Sequence, residues 1–388
     1  MAALLTNARL ATPEGIRDGL ALRVAGGAID AIAPIESFAE SDDRVVDLSG
    51  ALITPGLIDV QVNGGGGVML CDAPELSTLE KMVRAHRPYG TTAMLPTLIT
   101  SDLDIMRRTA EAVNEALQSD MPGILGVHFE GPLLNPARKG VHDHTLFLRP
   151  EKEVFDILTS IQGGKTLVTL APEQVGVDMI SELVSHGVIV SIGHTDCTFE
   201  QAQAAFAAGA TCATHLFNAM PPMLGRAPGP VAAAALDRNV YCGLIVDGHH
   251  VDPASMRFAV RANGVPRTIL VTDAMSNVGA DLCDFKLGNT EVHYSDGRLA
   301  TAEGTLAGSA LSMAEAVRNA VSMLDLLPEE VIAMATRSPA ELLGLEGALG
   351  TLQVGRRADL TVFDEQLQVT HTMVAGDLQA HSFDQGRG

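Results

Sequence analysis

The sequence predicts an α/β protein built as a parallel (β/α)8 barrel of the TIM type, with a small β domain assembled from both chain ends. Three observations predict it. Eight short apolar runs alternate with helical segments through the middle of the chain, strand-like alternation occupies both ends, and a His, Glu or Asp stands at the end of four of the runs.

Residues 2–49 alternate apolar and polar side chains over short stretches. Turn signals at Thr12-Pro13-Glu14-Gly15 and Gly26-Gly27 punctuate them, as expected of small antiparallel strands. The same style returns late: Gly350-Thr351-Leu352 leads to a turn at Gly355, and Ala358-Asp359-Leu360-Thr361-Val362-Phe363 reads as a strand. The small domain is therefore assigned residues 1–52 and 346–388, and the barrel residues 53–345.

Within the barrel the eight runs are 52–60, 91–95, 124–129, 166–170, 188–192, 211–216, 241–246 and 268–272. Segment 198–208 shows the helical pattern between them, with Phe199, Ala202, Ala205 and Phe206 on one side and Gly209 closing it. Segment 290–302, centred on Ser295-Asp296-Gly297-Arg298, breaks the alternation and reads as a hairpin inserted after the eighth strand. A doubly wound sheet is the structural competitor, and the placement of polar residues at strand ends disfavours it.

Composition excludes several roles. With 26 Lys and Arg against 47 Asp and Glu, the net charge of −21 repels nucleic acid and anionic membranes, so neither is an expected partner. An anionic substrate would need a local cluster of basic groups. The five cysteines, Cys71, Cys197, Cys212, Cys242 and Cys283, are odd in number and lack C-x-x-C spacing, which reads as reduced thiols. No signal-peptide pattern and no run of about 18 apolar residues occurs, so the expected location is cytoplasmic.

Loops at the carboxyl ends of barrel strands build active sites, which gives weight to four residues. Glu130 ends Val127-His128-Phe129-Glu130, His194 follows Val190-Ser191-Ile192-Gly193, His215 ends Ala213-Thr214-His215, and Asp273 ends Val271-Thr272-Asp273. One helix and one strand separate His194 from His215, which sets the two imidazoles at one height on neighbouring strands. With the Glu130 carboxylate they make a three-ligand metal site that leaves a position for water, as in catalytic zinc centres.

The motifs Ile58-Asp59-Val60-Gln61-Val62-Asn63-Gly64, His128-Phe129-Glu130-Gly131-Pro132, Gly193-His194-Thr195, Thr214-His215-Leu216-Phe217-Asn218-Ala219-Met220-Pro221 and Val271-Thr272-Asp273-Ala274 occur in the order and spacing of a known family. The chain resembles the N-acetylglucosamine-6-phosphate deacetylases of the amidohydrolase superfamily, and the likeness extends through Gly304-Thr305-Leu306-Ala307-Gly308-Ser309 and Gly355-Arg356-Arg357-Ala358-Asp359-Leu360.

The resemblance implies a barrel with a small β-sandwich domain, a homodimer, and hydrolysis of the acetamide of N-acetylglucosamine-6-phosphate. It implies Glu130, His194 and His215 as metal ligands and Asp273 as the catalytic base and acid. It also implies His142 polarising the substrate carbonyl, His249 on the sugar phosphate, and Arg226 binding phosphate in the neighbouring subunit's site, with backbone N–H groups of Asn218 and Ala219 as further donors.

Many amidohydrolases carry His-x-His on the first strand for a second metal, whereas this chain has Gln61 and Asn63. Neutral amides are weak ligands for such a cation, so the expectation is one divalent ion per chain, Zn2+, with Gln61 and Asn63 near the metal's water and not ligating. Of the remaining histidines, His144 is expected at the surface and His250 in a solvated loop, while Gly64-Gly65-Gly66-Gly67 is expected to be a flexible loop. The rival readings are a deacetylase of the galactosamine epimer, a cyclic-amide hydrolase, and a non-catalytic scaffold relative.

Overall fold

A computed structural model describes residues 2–39, 42–281 and 284–382. Cys283, Met1 and residues 383–388, all assigned above, lie outside the described residues. Eight strands form one sheet: Leu57–Val62, Thr91–Ile99, Gly126–Glu130, Lys165–Leu170, Ile189–Ile192, Cys212–Ala213, Tyr241–Leu244 and Thr268–Leu270. Each pairs in parallel with its predecessor in the chain. The barrel closes where Asp273 N–H donates to the Gln61 carbonyl (3.0 Å) and Asn63 N–H to the Ala274 carbonyl (2.9 Å).

These strands are buried along nearly their whole length because both faces are covered, by the barrel interior on one side and helices on the other. The helix Phe199–Ala207 shows how the local sequence sets its own limits: Thr198 and Gln201 form a capping box at its start. Gly209, with φ +108°, turns the chain toward the next strand at its end.

The first apolar run divides in two. Leu52–Pro55 pairs in parallel with Arg9–Thr12 and antiparallel with Leu360–Phe363, so it belongs to the small domain, and the barrel strand begins at Leu57. The crossing is Gly56, where a Cβ would lie 2.0 Å from Thr92 Oγ1. Residues 53–55, assigned above to the barrel, thus pair within the small domain's sheet.

That domain is two sheets, one holding Ala28–Pro34, Leu20–Ala25, Ala3–Thr6 and Arg44–Asp47 and the other six strands from both chain ends. Leu5, Leu22 and Ile29 of the first share a core with Leu10, Ile53, Leu360 and Met373 of the second, which makes a sandwich.

The expected hairpin is present as Thr290–Ser295 and Arg298–Ala300, extended by a third strand, Phe285–Leu287. Its turn has positive φ at both Asp296 and Gly297, the geometry whose twist suits a two-residue hairpin. The glycine run forms a hydrogen-bonded turn between Gly64–Gly65 and Val68–Met69. Gly66 N–H and Gly67 N–H donate to the Val278 and Ser276 carbonyls, at 2.7 and 2.9 Å.

Asp59 lies fully buried in the first barrel strand, accepting from Thr272 Oγ1 (2.5 Å) and Gln61 N–H (3.1 Å). Burial pushes its carboxyl up to about 7, against those hydrogen bonds. The folded state therefore binds a proton that the unfolded chain releases near pH 4, and stability contributed by this group falls as pH rises from about 4 to about 7. Asp59→Asn is expected to raise the melting temperature at pH 8 relative to the parent, with the difference shrinking toward pH 5. An equal change at both pH values in thermal melts would show that Asp59 stays ionised.

Candidate active site

Four strand ends converge on one cavity of about 360 Å³. Glu130 is the last residue of the third strand, His194 lies just beyond the fifth, His215 beyond the sixth and Asp273 beyond the eighth. His194, His215 and Asp273 have φ of +47°, +29° and +53°, a region uncommon for residues with a Cβ. Such conformations persist only where surrounding bonds over-determine them, and here three of the four chemical residues share them. The left-handed step turns each side chain inward at the point where the strand ends.

Glu130 Oε1 lies 2.9 Å from His215 Nε2 and 3.3 Å from His194 Nε2, and the two nitrogens are 3.1 Å apart. All three residues are buried. His194 Nδ1 donates to the Arg138 carbonyl (2.9 Å), so its proton sits there and Nε2 turns a lone pair toward the carboxylate. Burial alone would push the Glu130 carboxyl up, yet the imidazoles of His194 and His215 packed against it hold it well below the usual carboxylate range.

A lone pair and an anionic oxygen facing each other at this range call for a cation. Donors about 2.0–2.1 Å from a tetrahedral metal ion stand roughly 3.3 Å from one another, close to the spacings found. Among the described residues, this trio is the group of His, Cys, Asp or Glu side chains able to hold a metal.

Gln61 Nε2 donates to Glu130 Oε1 (3.0 Å) and Asp273 Oδ1 (3.2 Å), and Asn63 Nδ2 donates to Asp273 Oδ1 (2.7 Å). Both amides thus present N–H groups to carboxylates, and N–H groups do not ligate cations. Both bonds land on Asp273 Oδ1. Burial, with the Glu130 charge adding to it, pushes the Asp273 carboxyl up to about 6.

His142 is buried beside them, its Nε2 3.9 Å from Glu130 Oε2. Thr100 N–H donates to His142 Nδ1 (3.4 Å), which puts the imidazole's own proton on Nε2, facing the cavity. Burial, with His194 adding to it, pushes this histidine down to about 3, so it stays neutral.

Asn218 and Ala219 line the same cavity, whereas Arg226 lies exposed on a small hairpin, outside the lining. The loop after the seventh strand corrects one expectation. His250, not His249, lines the cavity: its Nδ1 pairs with Asp247 Oδ2 at 2.6 Å and its side chain is 6% exposed, while His249 is exposed and faces the hairpin at Gly297. Asp247 also accepts from the His249 and His250 N–H groups, and this turn decides which imidazole points inward. His144 is exposed, as expected.

Sequence reasoning also missed an apolar wall of Ile99, Val141, Met275, Leu287 and Leu306 along the cavity, partly supplied by the inserted hairpin. The hairpin pattern at 290–302 was visible, but not what it covers.

Residues 52–379 match the model of the Amidohydrolase family, and the chain belongs to that family of metal-dependent hydrolases. Over 96% of its length it is 40% identical to an N-acetylgalactosamine-6-phosphate deacetylase of Shewanella sp. (strain ANA-3), covering 94% of that protein. The crystal structure of N-acetylglucosamine-6-phosphate deacetylase from Pasteurella multocida superposes with a TM-score of 0.94 at 37% identity, covering 98% of this chain and 100% of that one. A Mycobacterium smegmatis N-acetyl-D-glucosamine-6-phosphate deacetylase, solved as a mutant in complex with N-acetyl-D-glucosamine-6-phosphate, gives 0.88 at 33%, over 97% and 99% of the two chains.

Glu130→Gln keeps the side chain's shape but removes the anionic donor. Divalent metal retained after dialysis, measured by plasma mass spectrometry, is expected to fall about tenfold or more. Parental metal content would remove Glu130 from the ligand set.

Proposed function

We propose that the chain hydrolyses the acetamide of N-acetylglucosamine-6-phosphate to glucosamine-6-phosphate and acetate, with one Zn2+ per chain held by Glu130, His194 and His215. The convergence of that donor set and Asp273 on one cavity carries the reading. The names of the similar deacetylases support the substrate. The relative from Shewanella favours a second reading, the galactosamine epimer, which differs in one hydroxyl.

A zinc ion held by Glu130, His194 and His215 would supply Lewis acidity that makes hydroxide accessible near neutrality. The chain's own residues do the rest. Asp273, steadied through Oδ1 by Gln61 and Asn63, takes a proton from the attacking water and returns it to the amine as it leaves. The returned proton is essential because an amide anion is a very poor leaving group. His142 Nε2–H donates to the carbonyl oxygen as it gains charge. His250 takes the part expected of His249 in holding the sugar phosphate, with backbone N–H groups of Asn218 and Ala219 beside it.

The exposed Arg226 supports a homodimer in which it reaches the neighbouring site, since Met223 and Leu224 on the same hairpin are 42% and 58% exposed. Guanidinium suits phosphate through paired hydrogen bonds. The free thiols among the described cysteines support a reducing, cytoplasmic location.

Acetate release from the glucosamine and galactosamine epimers, assayed in parallel with metal content, tests the reading; release from neither substrate by the metal-loaded chain would refute it. Asp273→Asn should bind metal as the parent does and lose about 10²–10⁴-fold in kcat. The acid limb of the kcat/KM profile should lie no higher than about 6, because a cation beside Asp273 draws its carboxyl down from that value. Mixed dimers of Asp273→Asn and Arg226→Ala chains should regain roughly a quarter of parental activity, one site in each hybrid being complete. No recovery on mixing would argue against a shared site.

A further inference from the structure

Of the strands flanking the metal ligands, the fourth contributes none. Lys165–Leu170 ends at Ala171 and runs into the short helix Pro172–Val175, whose second residue is Glu173. Glu173 Oε1 accepts from Asn135 Nδ2 (2.8 Å) and from Asp196 N–H (2.7 Å), and Oε2 accepts from Thr195 Oγ1 (2.5 Å). The first partner lies on the loop after the third strand, and the other two directly follow His194.

The same two loops grip His194. Asn135 N–H donates to the His194 carbonyl (3.0 Å), and His194 Nδ1 donates to the Arg138 carbonyl (2.9 Å). Arg138 Nε in turn pairs with Asp196 Oδ1 (2.8 Å). A ring of bonds thus encloses a histidine whose φ of +47° is unfavourable by itself. Glu173 is the one member that bonds to both loops from the helix after the fourth strand.

Resting on the ligand set proposed above, we propose that Glu173 is a positioning residue for the metal: by tying Asn135 to Thr195 and Asp196, it holds His194 in the left-handed turn that aims Nε2 at Glu130. It touches neither substrate nor cation. Its effect is to make the site ready before the ion arrives, so it acts on metal affinity. A carboxylate suits the place because all three neighbours donate. An amide keeps an oxygen for Asn135 and Asp196 and turns its NH2 to Thr195 Oγ1, which a hydroxyl also accepts.

Zn2+ affinity of the full-length chain, measured by competition with a chromophoric chelator beside thermal melts of the metal-free protein, tests this. Glu173→Ala is expected to weaken Zn2+ binding about 10- to 100-fold, Glu173→Gln by less, with metal-free melting near the parent's for both. Asn135→Ala, which removes one of the three bonds from the other side, should weaken binding several-fold and carries the test if Glu173→Ala fails to fold. Parental affinity in Glu173→Ala, or a Gln variant no better than Ala, overturns the proposal. His194→Ala separates the two readings: if it loses Zn2+ while Glu173→Ala does not, the ligand set stands and the positioning role falls, whereas parental affinity in His194→Ala overturns the ligand set itself.

Discussion

The seam between the first and eighth strands is the contact on which the site depends. The backbone bond from Asp273 to Gln61 closes the barrel, and the side chains of the same two residues meet at 3.2 Å on its inner side. Barrel closure and this side-chain contact at the cavity therefore share one pair of residues. Because the cylinder is continuous, strand ends far apart in sequence stand side by side, and the Glu130 carboxylate can face imidazoles from two other strands without any loop spanning the gap. His194, His215 and Asp273 each need only a local left-handed step to turn inward.

Where polar chemistry ends, an apolar wall begins. Met275 and Leu287 line the cavity and share a small core with Met69, Val292, Leu299 and Ala307, apart from the core of the barrel. The inserted strands thus rest on the mouth of the barrel and narrow it. Burial at this cavity, with the Glu130 charge adding to it, pushes the carboxyl of Asp273 up to about 6.

The legible parts of the sequence were those whose signals are local. An apolar run ending in a histidine or carboxylate can be read in a few residues, and so can Thr198 and Gln201 starting a helix. Gly56 was not legible as a boundary, since residues 52–60 read as one apolar run and only the strand pairing with Arg9–Thr12 and Leu360–Phe363 separates them. His249 and His250 are adjacent and chemically equal; the Asp247 turn selects between them. Glu173 escaped notice for a related reason, because its partners lie 38, 22 and 23 residues away and become neighbours only in the barrel.

The two-ended sandwich bears on how the chain is made. Thr54 and Thr361 are 307 residues apart yet bond within one sheet. On a ribosome moving at roughly 5–20 residues per second, the strands near the start wait about 15–60 s for that partner. Meanwhile Leu10 and Ile53 lack the cover that Leu360 and Met373 later supply. The nascent amino-terminal segment is then a sheet with an open edge, the form of chain that holding chaperones protect, and the last strands to emerge seal the first.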